Sequence, residues 1–278
     1  MPRGFWLPFA YDNVPSPTTE MQLESVSPAD HIVIVMGPTG CGKSTFIAAA
    51  SNKGHDAINH GQASAASGVR TIRAAHPKDG HPVVFVDTPG FDDTYVPDTE
   101  TLQKIADWLV KTHKSRVKIG TVIYLHRITD NRMSATQLRN LQTFAKLCGP
   151  QAMPNAVIAT TMWDDVWETT GVDREQELRA QFWNSMLIDG CRLERFQNTY
   201  ESAWDIIGEH SSTTLRLPDE MVDAGKLLHQ TEAYSINAGL PKWIVDLKIA
   251  FHTTLLRRTR RSPDGIPRSA DSGILRSS

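Results

Sequence analysis

Cysteine is scarce in this 278-residue chain: Cys41, Cys148 and Cys191 are its only three, far apart and odd in number. That spacing suits neither a disulfide framework nor a zinc cluster, and it leads to the expectation of a reducing, cytoplasmic environment. Long hydrophobic runs are missing too. No stretch approaches the roughly eighteen apolar residues of a membrane-spanning helix, and residues 1–10 are too short, aromatic and proline-broken for a signal-peptide core. Charge of one sign is also lacking. A net charge of -2 and a pI near 6.5 give no electrostatic reason to expect general binding to nucleic acid or anionic membrane. What is present is a 40% hydrophobic composition, enough to bury a sizeable core in one large domain with appendages. Any ligand must therefore be sought in a local site.

Residues 1–30 are rich in Pro, Ser, Thr and Asn without helical or strand period, which predicts a disordered leader. From 31 to 36 a β-branched run leads through a glycine-rich turn into an alanine-rich helical stretch over 43–50. The apolar run 82–86 precedes a second helix, 99–113, in which Leu102, Ile105, Ala106, Leu109 and Val110 share one face. Further strands at 121–125 and 156–160 flank a helix over 135–148 that ends at Gly149-Pro150. The β-α alternation predicts an α/β fold, a mostly parallel sheet with helices on both faces. Residues 70–75 form a candidate antiparallel partner of 82–86 through the turn at Lys78-Asp79-Gly80. After 170 the pattern becomes helical, with candidates at 174–187, 202–209, 219–234 and 242–256. The expected division is a leader at 1–30, a nucleotide-binding domain at 31–212, a helical extension at 213–256 and a disordered basic tail at 257–278.

The run Gly37-Pro38-Thr39-Gly40-Cys41-Gly42-Lys43-Ser44 satisfies G-x-x-x-x-G-K-[ST] at every specified position, between a strand and a helix. Successive backbone N–H groups of such a loop turn inward on phosphates, and the helix that follows presents its positive end. Lys43 is placed for the β- and γ-phosphates, Ser44 for Mg2+, and Thr45 continues the site into the helix. Cys41 is read as a small loop residue, since no histidine or second cysteine nearby argues for nucleophilic catalysis.

Asp87-Thr88-Pro89-Gly90, at the end of an apolar strand, fits the D-x-x-G element of GTPases. Asp87 would act on Mg2+ through a water and the Gly90 N–H would meet the γ-phosphate. After a later strand, Thr161-Met162-Trp163-Asp164 occupies the place of an N/T-K-x-D element, whose aspartate accepts hydrogen bonds from guanine. Adenine would oppose that carboxylate with acceptors, a buried mismatch of roughly 1–3 kcal/mol per group. Met162 stands where lysine is usual, so a surface turn opened by Asp164-Asp165 remains the alternative. Trp163 is a candidate for stacking near the base.

Together, Ile34 through Phe46 with the phosphate loop, Asp87-Thr88-Pro89-Gly90-Phe91-Asp92-Asp93, Ile123-Tyr124-Leu125-His126-Arg127-Ile128 and Thr160 through Asp164 resemble the fungal G-domain P-loop proteins. That family is similar to septins and the immunity-associated nucleotide-binding GTPases, and its members carry the Met-Trp variant of the base-reading element. The likeness covers about residues 31–231. It implies a three-layer P-loop NTPase G domain, GTP or GDP with Mg2+, and a base-proximal loop at Arg195-Phe196-Gln197-Asn198, in which Asn198 is a guanine contact. Family members usually have Ser-Cys-Thr-Ser before D-x-x-G, with the threonine closing on Mg2+; here the run is Ser64-Ala65-Ala66-Ser67, and Ala66 lacks that hydroxyl. A coiled coil often follows the domain in the family, but Pro241 breaks the sequence here and no heptad is sustained.

Phe91 stands where many small GTPases have a water-orienting glutamine, and a phenyl ring cannot polarise water. Turnover is therefore expected to be slow, or to depend on an arginine from a partner chain such as a second copy in a G-domain homodimer. His126 and Arg127 end a strand and read more readily as capped or solvated residues than as site groups. Three functions stay open: a guanine-nucleotide switch or assembly GTPase, an ATP-using P-loop enzyme, and a degenerate G domain that binds nucleotide as an interaction scaffold.

Overall fold

The computed structural model describes residues 26–53, 62–63, 68–209 and 211–238. Most of the leader, the run Ser64 to Ser67, the helix expected over 242–256 and the basic tail lie outside the described residues. The centre is a seven-stranded sheet in the order β2-β3-β4-β1-β5-β6-β7. Strands β1 (His31–Met36), β4 (Pro82–Asp87), β5 (Ile119–Arg127), β6 (Ala156–Thr161) and β7 (Arg192–Arg195) run parallel. β3 (Arg70–Ala75) joins antiparallel to β4, in the hairpin expected from the Asp79-Gly80 turn, and the short β2 (Gln62–Ala63) pairs with β3.

Strand β1 is buried on both faces, as its unbroken β-branched sequence requires. Ile32, Ile34 and Met36 enter one core with Leu102, Ile105 and Ala106 of helix α2 (Asp98–Lys114) and Leu141 and Phe144 of α3 (Ala135–Cys148). Val33 and Val35 enter the other core with Phe46 and Ile47 of α1 (Lys43–Ser51) and Trp204 and Ile207 of α5 (Tyr200–Ile207). Helices thus cover both faces, giving the three layers of a P-loop G-domain fold. The Trp204 indole donates to the Ala50 carbonyl at 3.0 Å and ties α5 to α1. Ser134 and Gln137 close a reciprocal capping box at the start of α3.

The helical content after 167 differs from the expected pattern in two places. Helix α4 begins at Glu168, six residues before the expected 174, and its α-helical part ends at Leu178; the chain then passes through a π-helical turn, Arg179–Trp183, into Asn184–Ile188. The run 219–234 is not one helix. It is broken after a turn at Asp219–Asp223, and a separate helix α6 (Glu232–Asn237) starts where the Thr231 hydroxyl accepts from the Tyr234 N–H. Its apolar residues have helical spacing, but Gly225 and the Thr231 cap interrupt the backbone ladder. Thr213 pairs with Ile119 at the start of β5, and Leu215, Leu217 and Leu228 join the core of α2 and α3. No helix among the described residues is long and apolar enough to cross a membrane.

Candidate functional site

The phosphate loop leaves β1 at its carboxyl end, between β4 and β5, where the chain direction across the sheet reverses. In open α/β sheets that crevice is the place for a ligand. Gly37 and Pro38 are buried while Thr39 and Gly40 are exposed at the rim. The Lys43 ammonium donates to the Gly37 carbonyl at 3.2 Å and to the Pro38 carbonyl at 3.0 Å. An ammonium has three donors, so one remains for a ligand oxygen. Ser44 and Thr45 follow in the first turn of α1, both half-buried.

The D-x-x-G segment is stitched to this loop through backbone. Val35 of β1 lies opposite Asp87, the Thr88 hydroxyl donates to the Val35 carbonyl at 2.8 Å, and Thr39 N–H donates to the Phe91 carbonyl at 2.7 Å. A Cβ on Gly90 would stand 2.3 Å from the Thr39 hydroxyl and 2.9 Å from Thr39 backbone, so no other residue fits. Burial raises the Asp87 carboxyl above the ordinary carboxylate range, while Lys43 and Arg70 pull it back. A half-buried hydroxyl and a buried carboxylate beside two cations form a hard-oxygen set that fits Mg2+.

Phe91 is fully buried and pairs with Pro38 as an isolated parallel bridge. It is a core residue that fastens two loops together, and its ring lies in the apolar cluster of β1 and α2. Cys41 is likewise inaccessible, and burial pushes its thiol up against the opposing pull of Lys43 and Arg127. Cys148 and Cys191 are buried as well.

At the other end, Thr161 is buried and its hydroxyl donates to the Cys41 carbonyl at 3.0 Å. Bracing of the phosphate loop thus comes from Thr161. Met162 takes a left-handed conformation, φ 62°, and its sulfur lies 3.7 Å from the Thr129 hydroxyl. Asp164 and Asn198 are both exposed and joined, the Asn198 amide donating to Asp164 at 3.0 Å. The sequence-derived site residues from Gly37 to Thr45, Asp87, Gly90, Thr161, Asp164 and Asn198 therefore lie at or just beyond the carboxyl ends of β1, β4, β6 and β7, with Asp87 and Thr161 closing their strands and Lys43, Ser44 and Thr45 opening α1.

The Trp163 indole carries the Arg195 guanidinium over its ring and packs its edge against Gly171. Two other residues went beyond what the sequence suggested. His126 is 2% exposed, set edge-on to Trp183, and burial lowers its imidazole to about 4. Arg127 is ion-paired to Asp130 yet reaches the loop, where a Cβ on Gly40 would meet its guanidinium at 3.6 Å.

The fold and this loop arrangement define a P-loop protein of the G-domain type. Residues 32–156 match the family model described as 50S ribosome-binding GTPase. Among solved structures, the chain is similar to Toc33 from Arabidopsis thaliana in complex with Mg2+ and GMPPNP, with 14% identity, 75% of this chain and 83% of that chain covered, and a TM-score of 0.45. Toc33 in complex with GDP and Mg2+ gives 17% identity over 62% of this chain and 72% of that chain, TM-score 0.46. A bacterial selenocysteine-specific elongation factor, EF-Sec, gives 12% identity over 59% and 25%, TM-score 0.41.

Proposed function

We propose that the chain binds guanine nucleotide with Mg2+ in the crevice between the phosphate loop and the Thr161-to-Asp164 turn, and acts as a switch or assembly G domain. The observation that carries this is the joining of both ends through one hydrogen bond, Thr161 to the Cys41 carbonyl, with the Asp164 carboxylate on the same turn as that brace. Lys43 and the backbone of residues 38–43 hold phosphates. Ser44 and Asp87 hold Mg2+, which would neutralise phosphate charge when bound. Asp164 accepts from the guanine ring, exchanging its present partner, the Asn198 amide. Closer kinship with the fungal G-domain proteins is part of this reading and rests on the four sequence blocks.

Buried Phe91 supports slow intrinsic hydrolysis, because the position after Gly90 supplies no group to orient water. Faster turnover then requires a partner, and a second copy of the chain is the partner proposed. Phosphate release from Mg-GTP, measured over a range of protein concentrations, tests this. Specific activity that rises with concentration and disappears in Lys43→Ala supports the reading. Zero release at every concentration with GDP still bound would leave a nucleotide-binding scaffold in its place.

A further inference from the structure

Four residues close a ring behind the base-reading turn. Trp163, immediately before Asp164, donates its indole N–H to the Thr160 hydroxyl at 3.0 Å. Thr160 in turn donates to Glu175 of α4 at 3.1 Å. Glu175 grips the Arg195 guanidinium through two nitrogens, at 3.0 Å and 2.6 Å. Arg195, at the end of β7, then lies over the Trp163 ring, its guanidinium carbon 4.1 Å from the ring centroid. The far edge of the indole sits so close to α4 that a Cβ on Gly171 would stand 2.6 Å from it. The indole is therefore fixed by a hydrogen bond, a cation on its face and a wall against its edge.

This ring fastens together the two segments that carry the base-reading groups. Asp164 directly follows Trp163 in the 3-10 turn Trp163–Asp165, and Asn198 lies three residues after Arg195. The Phe196 N–H donates to the Thr160 carbonyl at 2.9 Å, so the same strand end anchors both. A cavity of about 390 Å³ opens between them, lined by Trp163, Asp164, Glu168, Arg195, Gln197 and Thr199. The ring's contacts run among the end of β6, α4 and β7, whereas the contact with the phosphate loop belongs to the neighbouring Thr161. Its effect should accordingly fall on base recognition and spare phosphate recognition.

We propose that Arg195, locked by Glu175 over Trp163, is a positioning residue for base selectivity: it holds the Asp164 turn in the orientation that reads guanine, in a turn that has methionine at position 162. This rests on the guanine-binding reading above. The guanidinium of Arg195 suits the task because it can both stack on an indole and meet a carboxylate through two N–H groups, which a lysine ammonium cannot do together.

The test compares competitive binding of GDP and ADP, with Mg2+, to the full chain and to Arg195→Met, Arg195→Lys and Glu175→Gln, each checked for an unchanged thermal unfolding midpoint. Arg195→Met is expected to weaken GDP about tenfold, the size of one lost cation-aromatic contact and its lock, and to leave ADP unchanged. Arg195→Lys should recover part of that loss, and Glu175→Gln should show an intermediate one. An unchanged ratio of GDP to ADP affinity in Arg195→Met, or equal losses for both nucleotides, overturns the proposal. Should Arg195→Met fail to fold, the ratio in Glu175→Gln and Arg195→Lys decides in the same way. A wild-type chain that does not prefer GDP defeats the guanine reading itself, and this proposal with it, which is a different outcome from a wild-type preference that the variants keep.

Discussion

The phosphate end of the site is held by backbone, the base end by side chains. Around Gly37 to Ser44 the contacts run from Lys43 to two carbonyls, from Thr39 at the exposed rim to the Phe91 carbonyl and from buried Phe91 to the Gly37 carbonyl. Around Asp164 they run from buried Thr160 through half-buried Trp163, Glu175 and Arg195 to exposed Asn198. A phosphate is the same in every nucleotide, so a fixed array of N–H groups suffices for it. Bases differ at their edges, and distinguishing them requires side chains in defined places. The Thr161 hydroxyl, bonded to the Cys41 carbonyl, joins the two regions.

The comparison can be broken at either end. Lys43→Ala carries the largest expected effect, because it removes the charged donor from the loop: GDP and ADP should both weaken by about a hundredfold or more in a calorimetric titration. A smaller and more selective loss is expected from Gly171→Ala. Its new Cβ would stand 2.6 Å from the Trp163 ring and force the indole outward, reducing the preference for GDP over ADP about tenfold with ADP unaffected. Thr161→Val sharpens the contrast. Loss of the bond to the Cys41 carbonyl, about 1 kcal/mol, should weaken both nucleotides alike, by about fivefold.

The expected effect furthest from the ligand concerns stability and not binding. His126 takes a proton near pH 4 when folded, against 6.5 for an ordinary imidazole, because burial beside Trp183 disfavours its charged form. Between those values the unfolded chain binds more protons than the folded one. This contribution therefore leaves stability whole above about pH 6.5 and erodes it as pH falls toward 4. Urea unfolding at a series of pH values should show that slope, and His126→Leu should flatten it.

The same contrast explains what could be read from the sequence. The phosphate loop is one contiguous run whose meaning needs only a strand before it and a helix after it, and α3 announces its end through Gly149-Pro150. The Arg195 lock was not legible, because its members come from β6, α4 and β7 and meet only through the fold. β7 itself hides from pattern reading: Arg192, Leu193, Glu194 and Arg195 form four half-buried, mostly charged residues with no alternation of strand type. By its position after Gly90, Phe91 stands where a water-orienting glutamine is usual, which says nothing of where its ring packs. The bridge between Pro38 and Phe91 places it in the core, while the consequence for hydrolysis stays the same. Over 219–234, helical spacing of Met221, Val222 and Leu228 outweighed Gly225 in the pattern, although the backbone breaks there.

The most direct measurement is a calorimetric titration of the full chain with GDP and with ADP, each with and without Mg2+. The account predicts that GDP binds at least about tenfold more tightly than ADP, and that Mg2+ strengthens binding of the nucleotide. Equal affinities for GDP and ADP would contradict it.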